Sequence, residues 1–271
     1  MEDSTEATSP EFERIEYNPA RYWDYLLGGY HNFEADRKVA DRTLEAFPDV
    51  RLGALANRSF LRRAVRFLAR SGISQFVDLG SGIPTVGPVH EIAQAIDPGS
   101  RVVYVDHDPV AVTHSQSILA GNPKAHVIEE DFRNVAQIFD RPGFSDWIDL
   151  REPIGVLLVA VLHFVRDDAQ AAEMLRQLHS RMAHGSYLVI SHYSLDGAPE
   201  AAIQRLSRVS AAANDPSKSR SSVEIGRLFD GFELLKPGVV RIPLWRPEGP
   251  DEILVEEPER CLGFAGVGQK K

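Results

Sequence analysis

Cysteine is nearly absent. Cys261 is the single one in 271 residues, which excludes an intrachain disulfide and any zinc site built on paired thiolates. The same scarcity fits a reducing compartment. Basic residues are also short, 30 against 39 acidic, for a net charge of -9. Such a chain repels a phosphate backbone, so no nucleic-acid partner is expected. No apolar run approaches the ~20 residues of a membrane span; the longest, IGVLLVAVL, is strand-sized. MEDSTEATSPEFERIE at the N-terminus has no apolar stretch and does not read as a signal peptide. A soluble, cytoplasmic protein with no membrane partner is expected. Catalytic signatures are missing too. HEIAQ lacks the second histidine of H-E-x-x-H, the 9 histidines show no ligand spacing, and GSG is not a G-x-S-x-G elbow. No metal site and no hydrolase anchor are expected.

What is there is ordinary globular material, 43% hydrophobic and 25% charged. Residues 1–16 have the polarity of a disordered tail. From 17 to 71 the patterning is helical: PARYWDYLLGG, EADRKVADRTLEAF and ALANRSFLRRAVRFLARSG predict three helices of an N-terminal cap. From 72 to 271 apolar runs alternate with helical stretches. SQFVDLG, RVVYVDHD, AHVIEED, PIGVLLVAVL and GSYLVISHYS predict five strands. Continuous apolar strands between helices mean a parallel sheet covered on both faces. A sixth strand is expected within FELLKPGVVRIPLW, and CLGFAGVGQ adds an antiparallel edge. Asn214 to Ser222 reads as an exposed loop. The fold class is therefore α/β, a Rossmann-like, seven-stranded, mostly parallel sheet with helices on both faces and a helical cap.

FVDLGSGIPT ends the first strand of that sheet, where open α/β sheets bind ligands. Gly80, Ser81 and Gly82 let backbone approach a ligand, but the third glycine of G-x-G-x-x-G is Thr85. Asp78, two residues before Gly80, would repel a pyrophosphate and suits a cationic group. Asp106 ends the second strand, where an acid accepts hydrogen bonds from ribose hydroxyls. Asp131 and Phe132 end the third and offer a carboxylate for a purine amino group and a ring for its face. A ligand with ammonium, ribose and adenine but no phosphate is S-adenosylmethionine.

On these residues the chain resembles class I S-adenosylmethionine-dependent methyltransferases. VDLGSGIPT stands as motif I, Asp106 as the second-strand acid, EEDF and VLLVAVLHFV as the later motifs. NPARYWDYLLGGYHNFEADR, ANRSFLRRAVRFL and LVAVLHFV more narrowly resemble a bacterial S-adenosyl methyltransferase family once catalogued as a domain of unknown function. Two departures stand out: Pro84 in the glycine loop, and Tyr22 and Trp23 where smaller residues are expected in the cap. The resemblance implies S-adenosylmethionine as cofactor, held by Asp78, Gly80, Ser81, Gly82, Asp106 and His107, with Asp131, Phe132 and Ala160. It does not supply the methyl acceptor, which on charge grounds is expected to be a small molecule.

Each candidate has a plainer reading. The glycines also make a tight strand-to-helix turn, Asp106 also caps a helix (though Asp108-Pro109 can do that), and Asp131 also caps FRNVAQIF. His163, just past the fourth strand, is either a general base or positioning group for the acceptor, or a structural histidine. His192 has a similar place on the next strand. Tyr25, His31 and Asn32 sit beside Gly28-Gly29 in a segment expected to close as a lid. Arg58, with Arg62, Arg63 and Arg66, either meets an anionic acceptor or forms a solvated face. Rival functions are a non-catalytic binder of S-adenosylmethionine or S-adenosylhomocysteine, an NAD-dependent oxidoreductase, and an aminopropyl transferase. The oligomeric state is not legible.

Overall fold

The computed structural model describes residues 16–211 and 217–271. The tail expected over residues 1–16 lies outside them but for Glu16. The loop expected from Asn214 to Ser222 lies outside them as far as residue 216.

Three helices open the chain: α1 (Pro19–Leu26), α2 (Glu34–Ala46) and α3 (Val50–Arg70). Asn18 starts α1, its side chain accepting from the Ala20 N–H, with Pro19 in the first turn, where no donor is lost. The sheet follows. Strands β1 (Gln75–Leu79), β2 (Arg101–Asp106) and β3 (Ala125–Glu129) run parallel to one side, β4 (Gly155–Val159) and β5 (Tyr187–Tyr193) to the other. Between and beyond them lie α4 (Val89–Gln94), α5 (Pro109–Leu119), α6 (Val135–Phe139), α7 (Phe144–Trp147), α8 (Asp168–Arg181), α9 (Glu200–Ala211) and α10 (Ser222–Arg227).

The far edge differs from expectation. The sixth strand is two pieces, β6 (Glu233–Leu234) and β7 (Val240–Arg241), so the sheet has eight strands. Both pair with β8 (Gly263–Gln269), which is antiparallel as expected but lies inside the sheet, between β5 and those pieces. Pro237-Gly238 interrupts the run that would have made one continuous strand.

Strand alternation sorts the side chains into two cores. Phe76, Val102, Tyr104, Leu157 and Val189 meet α3 through Phe60, Leu61, Ala64 and Leu68. Val77, Leu79, Val103, Val105, Val156 and Leu158 form the other face with α6 and α8. Helix α3 thus belongs to the sheet's own core, and the boundary expected at residue 71 falls within one packed cluster. The cap proper is α1 and α2, with α9 against α2.

The basic stripe of α3 is answered from within the chain. Arg63 is buried, gives hydrogen bonds to the carbonyls of Trp245 and Ile242, and pairs with Glu252. Arg66 pairs with Glu248 at 3.0 Å. The turn-rich, acidic segment around residues 246–260 is strapped to α3 by these pairs and, at the helix's N-terminal end, by Arg260 on Asp49.

Strand order reverses between β1 and β4. A crevice opens above their carboxyl ends, where flanking connections leave in opposite directions.

Candidate functional site

Gly80 must be glycine for two reasons: its φ is +68°, and a Cβ there would meet the Val161 side chain at 2.2 Å. The turn it makes delivers the Gly82 N–H to Asp106 Oδ2 at 2.7 Å, while the Asp108 N–H reaches Asp106 Oδ1 at 3.0 Å. Asp106 therefore stands at the end of β2 with both oxygens oriented and lone pairs to spare. Asp108, rather than Asp106, caps α5 by accepting from Val110 N.

Above this turn lies a first cavity. Its floor is Asp78, Gly80, Ser81, Gly82, Asp106 and His107; Phe132 and Ala160 complete the sheet side. Helices α1 and α3 roof it with Trp23, Asp24, Asn57 and Arg58. Asp78 shares a sheet face with Phe76, the face α3 covers, so its carboxylate lies under Arg58. Burial pushes the Asp78 carboxyl up to about 7, with Arg58 opposing and Asp106 adding to the rise. Burial also raises Asp106, against the two N–H donors that favour its charge. Arg58 is drawn below its usual value by burial, with Asp78 acting the other way. Among the described residues Arg58 makes no ion pair, and no hydrogen bond is made by the Asp78 carboxyl. A cation and an acid thus face one cavity without answering each other directly.

Asp131 departs from expectation. It does not line the cavity, and its carboxylate is held by the Arg133 backbone N–H at 2.9 Å and by the Arg133 guanidinium. Those bonds outweigh burial and hold its pKa below the usual carboxylate value. Phe132 beside it does line the cavity.

A second cavity adjoins the first, sharing Trp23, Asn57, Ala160 and Phe164 as walls. Ala160 stands at that junction with φ 56°, a left-handed conformation that costs a non-glycine residue of order 1–3 kcal/mol. His163, His192, Ser191, Tyr193 and the cap residues Tyr22 and Phe47 line the second cavity. His163 is buried, with Nδ1 lacking a partner among the described residues. Burial, then His192 and Arg220, keep its pKa well below the usual histidine value.

His192 is not a free base. Its Nδ1 lies 2.6 Å from the Tyr193 carbonyl, and its Nε2 lies 2.8 Å from Arg220 Nη1. A guanidinium can only donate, so Nε2 accepts and the ring is neutral with its proton on Nδ1. Burial above all lowers its pKa to about 4. Arg220 also binds the carbonyls of Leu162 and Val165 and thereby braces the turn that carries His163.

The lid residues do not reach either cavity. Tyr25 donates to Asp41 Oδ1 at 3.0 Å and lies under Arg51. The His31 N–H and Asn32 Nδ2 both bond Asp24 Oδ2, folding the Gly28-Gly29 turn onto α1. Gly29 packs so closely there that a Cβ would meet Asp24 Oδ1 at 2.0 Å. Tyr25 and Asn32 border a separate hollow with Arg37. Arg58, expected to face solvent or an anionic acceptor, belongs to the first cavity. Asn57, Asp24 and Phe164 escaped the sequence reading; Asn57 meets Ser191, 134 residues away, and no local pattern announces that pair. Among the described residues no three metal-binding side chains gather, and no helix is long and apolar enough to cross a membrane.

Comparison with known proteins agrees with this geometry. The family model described as S-adenosyl methyltransferase matches residues 5–271. A Thermobifida fusca protein, classed provisionally as a methyltransferase, superposes with TM-score 0.89 at 40% identity, over 97% of this chain and 98% of that one. A DUF574 family protein from Streptomyces avermitilis superposes with TM-score 0.88 at 37% identity, over 94% and 98%. No curated protein matches the chain.

Proposed function

The chain belongs to the S-adenosyl methyltransferase family, and from that premise we propose that it methylates a small molecule seated in the second cavity, with S-adenosylmethionine in the first. The observation that carries this reading is the junction: a charged cavity at the strand ends opens on a second one through Trp23, Asn57, Ala160 and Phe164. A purely regulatory binder has no need of the second chamber. A dinucleotide is disfavoured by Asp78 beside the glycine turn.

The first cavity suits the cofactor's groups. Asp78 answers an ammonium, Arg58 a carboxylate, Asp106 the ribose hydroxyls and Phe132 the face of an adenine. When bound, S-adenosylmethionine supplies a methyl on a positively charged sulfur, which leaves with the bonding pair as the acceptor atom makes the new bond in line. Trp23 and Phe164 exclude water at the junction, which favours positioning over solvation. His163 is neutral across physiological pH and accepts a hydrogen bond from the acceptor. Its weak basicity is sufficient, because a heteroatom becomes strongly acidic as it is alkylated. The net charge of -9 weighs against a nucleic-acid acceptor.

The test is calorimetric titration with S-adenosylmethionine between pH 5.5 and 8. In the free protein the Asp78 carboxyl is raised to about 7 and is largely protonated below that. An ammonium requires it ionised, so binding releases a proton and affinity rises with pH until it levels above 7. The dissociation constant at pH 5.5 should exceed that at pH 8 by roughly tenfold or more, since linkage to one proton allows up to tenfold per pH unit. Asp78→Asn should bind more weakly and with a flatter profile. A wild-type affinity independent of pH would overturn the role given to Asp78.

A further inference from the structure

The two chambers differ in chemistry. The first is lined by five ionisable side chains of fixed charge type, Asp24, Arg58, Asp78, Asp106 and Arg133. The second has no aspartate, glutamate, lysine or arginine among its described lining residues, and its walls are largely aromatic and aliphatic. An ion entering it would shed its hydration and find no counter-charge, which strongly disfavours a charged guest. Its two histidines do not supply one, since His192 is fixed as the neutral tautomer by Tyr193 and Arg220, and burial keeps His163 uncharged.

The polar groups at the junction are also directional. The Ala160 N–H donates to Ser191 Oγ at 2.9 Å, and the Ser191 hydroxyl donates to Asn57 Oδ1 at 2.6 Å. That relay fixes the amide of Asn57 with its Nδ2 hydrogens as the free end, unpartnered among the described residues. Asn57 therefore presents a donor where the chambers meet. His163 has Nδ1 sealed, leaving Nε2 as the nitrogen open to the second cavity.

We propose that the methyl acceptor is an uncharged, largely apolar molecule bearing a hydroxyl, bound in the second cavity with its oxygen between Asn57 and His163. This rests on the methyltransferase reading and narrows it. A donor at Asn57 selects oxygen over nitrogen. A hydroxyl oxygen has two lone pairs: one accepts from Asn57 Nδ2, and the other forms the bond to the methyl carbon. A neutral amine has one pair, which Asn57 would occupy. The balance closes: the oxygen–carbon bond forms, the carbon–sulfur bond breaks with its pair on sulfur, and the hydroxyl proton, shared with His163 Nε2 as the bond forms, leaves to solvent, so that His163 ends uncharged.

The probes are 2-naphthol, its carboxylate analogue 6-hydroxy-2-naphthoate and the cation of 2-naphthylmethylamine, each titrated at pH 7.5 into protein saturated with S-adenosylhomocysteine. The proposal expects 2-naphthol to bind at least tenfold more tightly than either charged analogue, a comparison needing no variant. Asn57→Asp keeps the bond from Ser191 but replaces the donor by a carboxylate, and should weaken 2-naphthol at least tenfold. Equal or tighter binding of a charged analogue, or no binding of 2-naphthol, overturns the proposal while leaving the cofactor assignment standing. Failure of S-adenosylhomocysteine itself to bind, read by titrating it first into the free protein, overturns both.

Discussion

Replacing Arg21 by alanine is expected to lower the free energy of unfolding by about 3–5 kcal/mol, the usual consequence of removing one partner from a buried ionic cluster. Arg21 is 6% exposed, and the carboxylates it joins, Asp36 and Asp108, are 0% and 3% exposed. Its Nε reaches Asp36 at 2.9 Å and its Nη1 reaches Asp108 at 2.7 Å. Without it, two negative groups remain sealed from water; backbone donors from Asn18 and Phe33 on Asp36, and from Val110 on Asp108, only partly compensate. Arg21→Lys should recover part of the loss, because a single ammonium cannot match the fork of a guanidinium. The cluster ties α1 and α2 to the end of β2, two residues from Asp106, so the variant should also weaken cofactor binding. Urea unfolding followed by circular dichroism measures the first effect. A loss under about 1 kcal/mol, the range of exposed ion pairs, would show that the cluster does not hold the cap.

Asp106→Ala is expected to lower the affinity for S-adenosylhomocysteine at least a hundredfold. Hydrogen bonds to a charged group contribute about 1.5–3 kcal/mol each, and two ribose hydroxyls would bond this carboxylate. The same substitution frees the Gly82 N–H, which loosens the glycine turn and adds to the loss. Calorimetry on the wild type and the variant, with a melting curve to confirm folding, reads the effect directly. A change below threefold in a folded variant would remove Asp106 from the cofactor site.

The parallel core and its acids were legible because the information is local. Each of the first three strands is a short apolar run with an acid at its carboxyl end, and the turn chemistry of Gly80 and Gly82 lies in adjacent residues. Side chains that act across distance were not legible. Arg58 faces Asp78 only because α3 covers one face of β1, and a charge count along α3 cannot separate it from Arg63 and Arg66, which meet Glu252 and Glu248. His192 is neutralised as a base by Arg220, 28 residues on. Asp131 stands outside the cavity for a local reason: Arg133, two residues later, pairs with its carboxylate. Tyr22 and Trp23, the bulky departures noted in the cap, line the second cavity and shape the space for the acceptor.

The central claim, a cofactor cavity built for S-adenosylmethionine, is tested most directly by titrating the wild-type protein with S-adenosylmethionine, S-adenosylhomocysteine and NADH at pH 8. The account predicts binding of the first two, lost in Asp106→Ala, and none of the third. Binding of NADH alone would contradict it.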